Sequence, residues 1–369
     1  MWVDDQQYQQ TAKSVDDSGE SVVEETQAGL DYWVGFLTTT GGAINPDKSY
    51  WYLLDYRWTG KQWVYQKARD MKGVLTAPNP DGVILPLKRL EAHEAAKQLG
   101  IFTAPDGNMK AQLQHLKAKA SKFAENLRTQ GLLSRNEAWI NMTHTVRKTL
   151  EYPMPATTLT EKEWETVATI IHKVALPKAG FVRSFPLKIL HGPTKYQGVG
   201  HMHFWHNQEL VHVQEFLNEV QLETRLGLKC GMTLEQLRLE TGFPGPFTDV
   251  PYDLMHSLTT PSKIKTLWHY CHKFGLTITD PFGDLSGVRL NDVMLMPHFV
   301  QKYGQDTSLL KRLNQCRMQL HAVSLADLCS MKGGRMLEVA YKGCPGIRHH
   351  KWPYWDLDPP KSLVQSLVW

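Results

Sequence analysis

The chain has 369 residues, 42% of them hydrophobic, with 12 Trp, 13 Tyr and 12 Phe; this composition excludes a disordered chain and is enough for two or three domains. The net charge of +4 is unevenly spread: Met1–Asp31 carries −7, whereas 109–150 carries +6 on eight bases against Glu125 and Glu137. Five widely spaced cysteines without a C-x-x-C pair argue against a disulfide framework or a zinc ribbon. The acidic start excludes a targeting leader, and no apolar run approaches the ~20 residues of a membrane span. Together these features predict an intracellular protein, cytoplasmic or nuclear.

In chain order, the first predicted element is a helix over 20–38, with Val22, Val23, Leu30, Val34 and Leu37 at helical spacing and acids in its first turns. Gly41-Gly42 ends it, and Asn45-Pro46-Asp47 is turn chemistry. Two aromatic runs around Thr59-Gly60 predict a hairpin spanning Trp51–Lys67. Residues 73–90 read as a loop with one strand at Val83–Leu85, and Leu99–Phe102 as a short apolar segment before the turn Pro105–Asn108. From 109 the pattern turns helical. Leu113, Leu116, Ala120, Phe123, Ala124 and Leu127 form one stripe, with Lys110, Lys117 and Arg128 along an edge and Lys122 opposite.

Ser134 opens a second helix to Leu150, with Glu137 completing a capping box; Thr160 opens a third that stops before Pro177. Three helices with short connections suggest a bundle. Beyond 180 further helices are expected at 207–222, 232–241, 261–274, 291–303 and 306–320, followed by an irregular aromatic end. The histidines of GHMHFWHNQELVHV (His201, His203, His206, His212) lack the spacing of a recognised metal motif. There is no phosphate-binding glycine loop and no nucleophile elbow.

The order Trp2-Val3-Asp4-Asp5, helix, Gly41-Gly42-Ala43-Ile44-Asn45-Pro46-Asp47-Lys48, aromatic hairpin, Leu99-Gly100-Ile101, basic helices resembles the second half of a reverse transcriptase palm followed by its thumb. The resemblance is to the non-LTR retroelement kind, most closely to retroelement-derived sequences of diatom-like algae. It extends in scattered short motifs to His191-Gly192-Pro193, Gly198-Val199-Gly200 and Leu313–Arg317. Trp2 departs from the Tyr or Phe usual before the acidic pair.

The resemblance implies an α+β fold: a small antiparallel palm-like sheet remnant over 1–108, a helical thumb-like bundle over 109–180 and a helical connection region over 181–369. It implies Asp4 and Asp5 as Mg²⁺ ligands and Lys48 beside the phosphates of an incoming nucleotide. Leu99 and Gly100 would position the primer. Lys110, Lys117, Lys119, Lys122 and Arg128 would contact the backbone of an RNA template and DNA primer. The palm chemistry needs one more carboxylate from an earlier strand. The chain alone is therefore expected to be inactive, with polymerisation and Mg²⁺ belonging to a full-length parent. The alternative expectation is a non-catalytic helical module that binds nucleic acid or protein.

Overall fold

The computed structural model describes residues 8–14, 18–58, 63–279, 289, 291–319 and 322–329. The fold class is α+β, and the chain divides into two compact units, 1–118 and 119–369.

The first unit opens with α1 (Gly19–Thr39). Ser18 caps it by accepting from the Ser21 N–H, and it closes where the Gly42 N–H reaches back to the Leu37 carbonyl. A 3₁₀ turn at Pro46–Lys48 follows, capped by the Asn45 side chain on the Asp47 N–H. Eight short strands come next: β1 (Tyr50–Tyr52), β2 (Tyr56–Trp58), β3 (Trp63–Tyr65), β4 (Thr76–Pro78), β5 (Ile84–Pro86), β6 (Lys88–Leu90), β7 (Ala96–Gln98) and β8 (Ile101–Thr103).

These strands pair two by two instead of forming one sheet. β2–β3, β4–β5 and β7–β8 are antiparallel, whereas β1 and β6 run parallel, Tyr50 opposite Lys88. The expected loop over 73–90 thus holds three strands. The prolines conceal them in the sequence, yet Pro78 and Pro86 stand at strand ends, where a missing N–H is tolerated.

Side chains join the pairs. The Gln27 amide on α1 bridges the Thr76 backbone, accepting from its N–H at 2.8 Å and donating to its carbonyl at 3.0 Å. The Trp51 indole donates to the Leu87 carbonyl, and the Arg89 guanidinium lies over the Trp51 ring. A small core of Val23, Leu75, Ala77 and Leu87 fills the space beneath.

Helix α2 (Lys110–Thr129) spans the division between the units. Leu116, Ala120, Ala124 and Leu127 are its buried stripe, as the spacing predicts. The second unit continues with α3 (Arg135–Ile140), a π-helical stretch at Asn141–Val146 and α4 (Arg147–Glu151), which together replace the single expected helix. The Ser134–Glu137 capping box is formed. So is the Thr160–Glu163 box that opens α5 (Glu161–Lys178). This helix runs one residue past Pro177, so the single i→i−4 bond that proline cannot donate is lost at the very end of the helix and interrupts no turn beyond it.

Then follow α6 (Leu187–His191), α7 (Phe204–Glu219), α8 (Arg225–Thr241), α9 (Tyr252–Met255), α10 (Lys263–Phe274), α11 (Leu295–Tyr303) and α12 (Thr307–Gln319). The main core gathers Phe216, Leu234, Leu237, Phe247, Trp268, Met296 and Leu310 from α7 through α12.

Two buried polar groups knit this unit. Gln208 on α7 accepts from the Thr157 hydroxyl, the Leu159 N–H and the Trp164 indole, and donates to the Leu159 carbonyl and Glu209. The expected boundary at 180 is thus crossed by hydrogen bonds between α5 and α7. Arg317 on α12 is fully buried, and its guanidinium donates to the Leu239, Glu240 and Ala322 carbonyls and to Asn314. It caps the carbonyl end of α8, where the helix dipole favours a cation.

Candidate functional site

Asp4 and Asp5, the expected metal ligands, lie outside the described residues. Lys48 ends the 3₁₀ turn, exposed to solvent. Its position follows from local chemistry: the Asn45 cap holds the turn, and Pro46 is buried at its first position.

Leu99 and Gly100 form the two-residue loop of the β7–β8 hairpin, with Gln98 opposite Ile101. Their φ values of 47° and 86° suit a turn that needs positive φ at both central residues. Glycine adopts that backbone freely; leucine does not. Leu99 is nevertheless 72% exposed, so its side chain is presented outward at the hairpin tip. The hairpin docks on the start of α2: the Phe102 N–H donates to the buried Gln112, and the Phe102 ring meets His115 at 5.1 Å.

The five cations of α2 do not make one surface. Lys110, Lys117 and Arg128 stand two and three turns apart and share an edge of the helix. Lys119 falls on the far side of the buried stripe, and Lys122 points away from it. A run of like charge in sequence is wound around the helix, so only three of the five can face one ligand.

The densest cluster of functional side chains is elsewhere, in the second unit. Segment 198–201 lies against 189–193: the Val199 N–H donates to the Ile189 carbonyl, the Gly200 N–H to Gly192 and the His201 N–H to Leu190. This approach requires Gly198, because a Cβ there would stand 2.1 Å from the Gly192 oxygen. The fold-back sets His191 and His201 side by side, rings stacked at 5.6 Å, and the next residues carry His203 to the N-cap of α7.

Five imidazoles therefore meet. His172 Nε2 and His201 Nε2 are 3.3 Å apart, both side chains buried. His191 Nδ1 lies 2.8 Å from the His201 carbonyl oxygen. A carbonyl cannot donate, so Nδ1 carries the proton and Nε2 of the neutral ring is left as an acceptor. His203 is edge-on to His191 at 4.9 Å and accepts the His206 N–H at Nδ1, which puts the proton of its neutral ring on Nε2. His206 contacts His203 at 4.5 Å.

Every one of the five is held below the ordinary histidine range. Burial is the main cause for each, and the neighbouring imidazoles add to it for His172, His201, His203 and His206. His172 falls to about 4, His201 to about 3 with Arg147 contributing, and His203 to about 4 with Lys273 contributing. At neutral pH the cluster is uncharged.

His191, His201, His203 and His206 line an open cleft of about 490 Å³ with Lys188 and Asn207 on its walls. Of the histidines considered from the sequence, His212 does not join: it is buried further along α7, with Nε2 3.1 Å from the Met154 carbonyl oxygen. His172 and His191 were missed. His172 sits in an apolar helical run, and only the glycines at 192, 198 and 200 hint that His191 meets His201. Among the described residues, no three His, Cys, Asp or Glu side chains are grouped to hold a metal ion. No disulfide forms among them, and none of their helices is long and apolar enough to cross a membrane.

Comparison of the chain with protein-family models, with curated proteins and with solved structures finds no match.

Proposed function

We propose that this chain carries the end of a reverse transcriptase palm and the thumb that follows it. The reading rests on the resemblance of its motifs, and one observation of the first unit supports it. The elements occur in the order that resemblance implies: α1, a capped turn ending in Lys48, a strand, an aromatic hairpin, and a Leu99-Gly100 hairpin docked on the basic helix α2. In this reading α2 presents Lys110, Lys117 and Arg128 to the backbone of an RNA template paired with a DNA primer. Asp4 and Asp5 would hold Mg²⁺ in a longer parent that supplies a third carboxylate and the nucleotide-binding part, and Lys48 would neutralise phosphate charge there. The location would be intracellular.

The test is a filter-binding titration against an RNA–DNA hybrid at several salt concentrations. Affinity should fall as salt rises, because bound lysines release counterions. Replacing Lys110, Lys117 and Arg128 together by Gln should lower the logarithmic salt slope by about 2 to 3. Lys119→Gln should leave it unchanged. The isolated chain should give no primer extension with Mg²⁺. Absence of hybrid binding, or a slope indifferent to the triple substitution, would refute the thumb assignment. DNA synthesis by the isolated chain would refute the need for a parent.

The winding of the cations around α2 favours a second reading, a nucleic-acid-binding module without polymerase ancestry. It predicts equal affinity for hybrid and for single-stranded RNA, whereas the thumb reading predicts preference for the hybrid.

A further inference from the structure

The histidine cleft plays no part in the polymerase reading, and its chemistry points to a ligand of its own. No acidic residue lines it. Its walls offer the Lys188 ammonium and the imidazoles of His191, His203 and His206, whereas the Asn207 amide already donates to Glu151 and the Met154 sulfur. His203 caps α7, a helix of 16 residues, by accepting the His206 N–H, and both residues line the cleft at the positive end of that helix. The charged groups that act on the cluster from the packed elements are Arg147 on α4, Glu161 on α5 and Lys273 on α10, with His172 on α5 behind. Glu161 is neutralised by its ion pair with Lys273. Glu151 on α4, bonded to Asn207 on the wall, is paired with Arg147, so both of these nearby carboxylates are matched by a cation. A metal cation finds no three-ligand group there. An anion finds a cation, a helix N-terminus and, in His191, a neutral ring able to become a donor at both nitrogens.

We propose that this cleft binds a phosphoryl group, seated against Lys188, His191 and the first turn of α7, and that binding draws a proton from solvent onto the imidazole cluster. The proton follows from electrostatics. His191 donates from Nδ1 to the His201 carbonyl and keeps Nε2 free to take a second proton; burial opposes that proton in the empty cleft, and an anion beside the ring favours it. The volume, about 490 Å³, falls within the range of small-ligand sites and exceeds what one phosphate fills. The phosphoryl group can thus belong to a free phosphate or nucleotide, or to a nucleic-acid backbone crossing the open cleft. The inference does not depend on the polymerase reading.

The experiment is calorimetric titration of the full chain at constant ionic strength, at about pH 6 and about pH 8, in buffers of different ionisation heat. The probes are inorganic phosphate, sulfate (a dianion throughout this range) and short oligothymidylate. Sulfate should bind roughly tenfold tighter at the lower pH, with net proton uptake. Lys188→Ala should weaken phosphate and sulfate binding roughly three- to tenfold, and His191→Asn should do the same while abolishing the proton uptake. Asn retains an N–H for the His201 carbonyl, and an unchanged circular dichroism spectrum verifies the fold. Lys311→Ala, on the exposed face of α12, should change nothing. Competition between phosphate and oligothymidylate, with both weakened by His191→Asn, would identify backbone phosphate as the occupant. Binding of phosphate and sulfate without the oligonucleotide would identify a free phosphate or nucleotide. The proposal is overturned if neither oxyanion binds at millimolar concentration, if affinity is the same at both pH values, or if both variants bind like the parent chain.

Discussion

Acidification should unfold the second unit through its histidine pair, and the size of the effect follows from the structure. His172 and His201 are 7% and 4% exposed, with Nε2 atoms 3.3 Å apart. Burial first, and neighbouring imidazoles after it, hold them down to about 4 and about 3, whereas in the unfolded chain each titrates at about 6.5. The unfolded state therefore binds more protons below pH 6.5, and stability falls with falling pH. It is fully present above the unfolded value and is lost progressively as pH drops through the range toward 4 and 3. Between about pH 8 and about pH 5, each group contributes a loss of about 2 kcal/mol at most, so the pair removes up to about 4 kcal/mol. That is a large fraction of the ~5–15 kcal/mol typical of a domain.

The assay is urea unfolding followed by circular dichroism at stepped pH, comparing the parent chain with the double variant His172→Phe/His201→Phe. The parent midpoint should move to lower urea as pH falls from about 7 to about 5, and the double variant should show a distinctly shallower dependence. A parent midpoint that stays constant over this range would refute the reasoning. A variant with the parent's full slope would also refute it, by assigning the protons to other groups.

Three further outcomes follow from single side chains. Gln208→Leu removes the acceptor of the Trp164 indole and the Leu159 N–H in a dry interior, so equilibrium unfolding should show a loss of about 3–5 kcal/mol; a loss under 1 kcal/mol would mean the network is not closed as described. Arg317→Met should cost about 3 kcal/mol by stripping the Leu239 and Ala322 carbonyls of their donor, and Arg317→Lys should recover only part, since one ammonium cannot reach both; full recovery in thermal melts would contradict the carbonyl-cap account. Leu99→Gly should stabilise the chain by roughly 1 kcal/mol, because Leu99 holds a φ of 47° while largely exposed; a lower melting temperature would show that its exposed side chain makes a stabilising contact.

What could be read from the sequence was what neighbouring residues decide between themselves. Ser134 with Glu137 and Thr160 with Glu163 start helices because cap and partner are three residues apart, and the start of each is where the spacing puts it. The stripe Leu116, Ala120, Ala124, Leu127 is legible because a helix has one period. The β2–β3 pairing joins two aromatic runs close in the chain, with Tyr56 against Tyr65 at 4.7 Å, while the expected Thr59-Gly60 turn lies outside the described residues. In contrast, the parallel pairing of β1 with β6 joins residues almost forty apart, and nothing local announces it. Nothing beside Arg317 in the chain announces its burial, which is decided when α8 brings its orphan carbonyls alongside.

The same division separates the two candidate sites. The hairpin tip at Leu99-Gly100 and the edge formed by Lys110, Lys117 and Arg128 are products of local backbone geometry. The histidine cleft is not. His172, His191, His201 and His203 come from α5, α6, a glycine-built loop and the cap of α7, so no spacing in the chain relates them. Hydrogen bonds within a few residues select turns and helices at any position of the chain. Only the burial of α5, α6 and α7 against one another decides which imidazoles share a dry space, and that desolvation is what sets their protons.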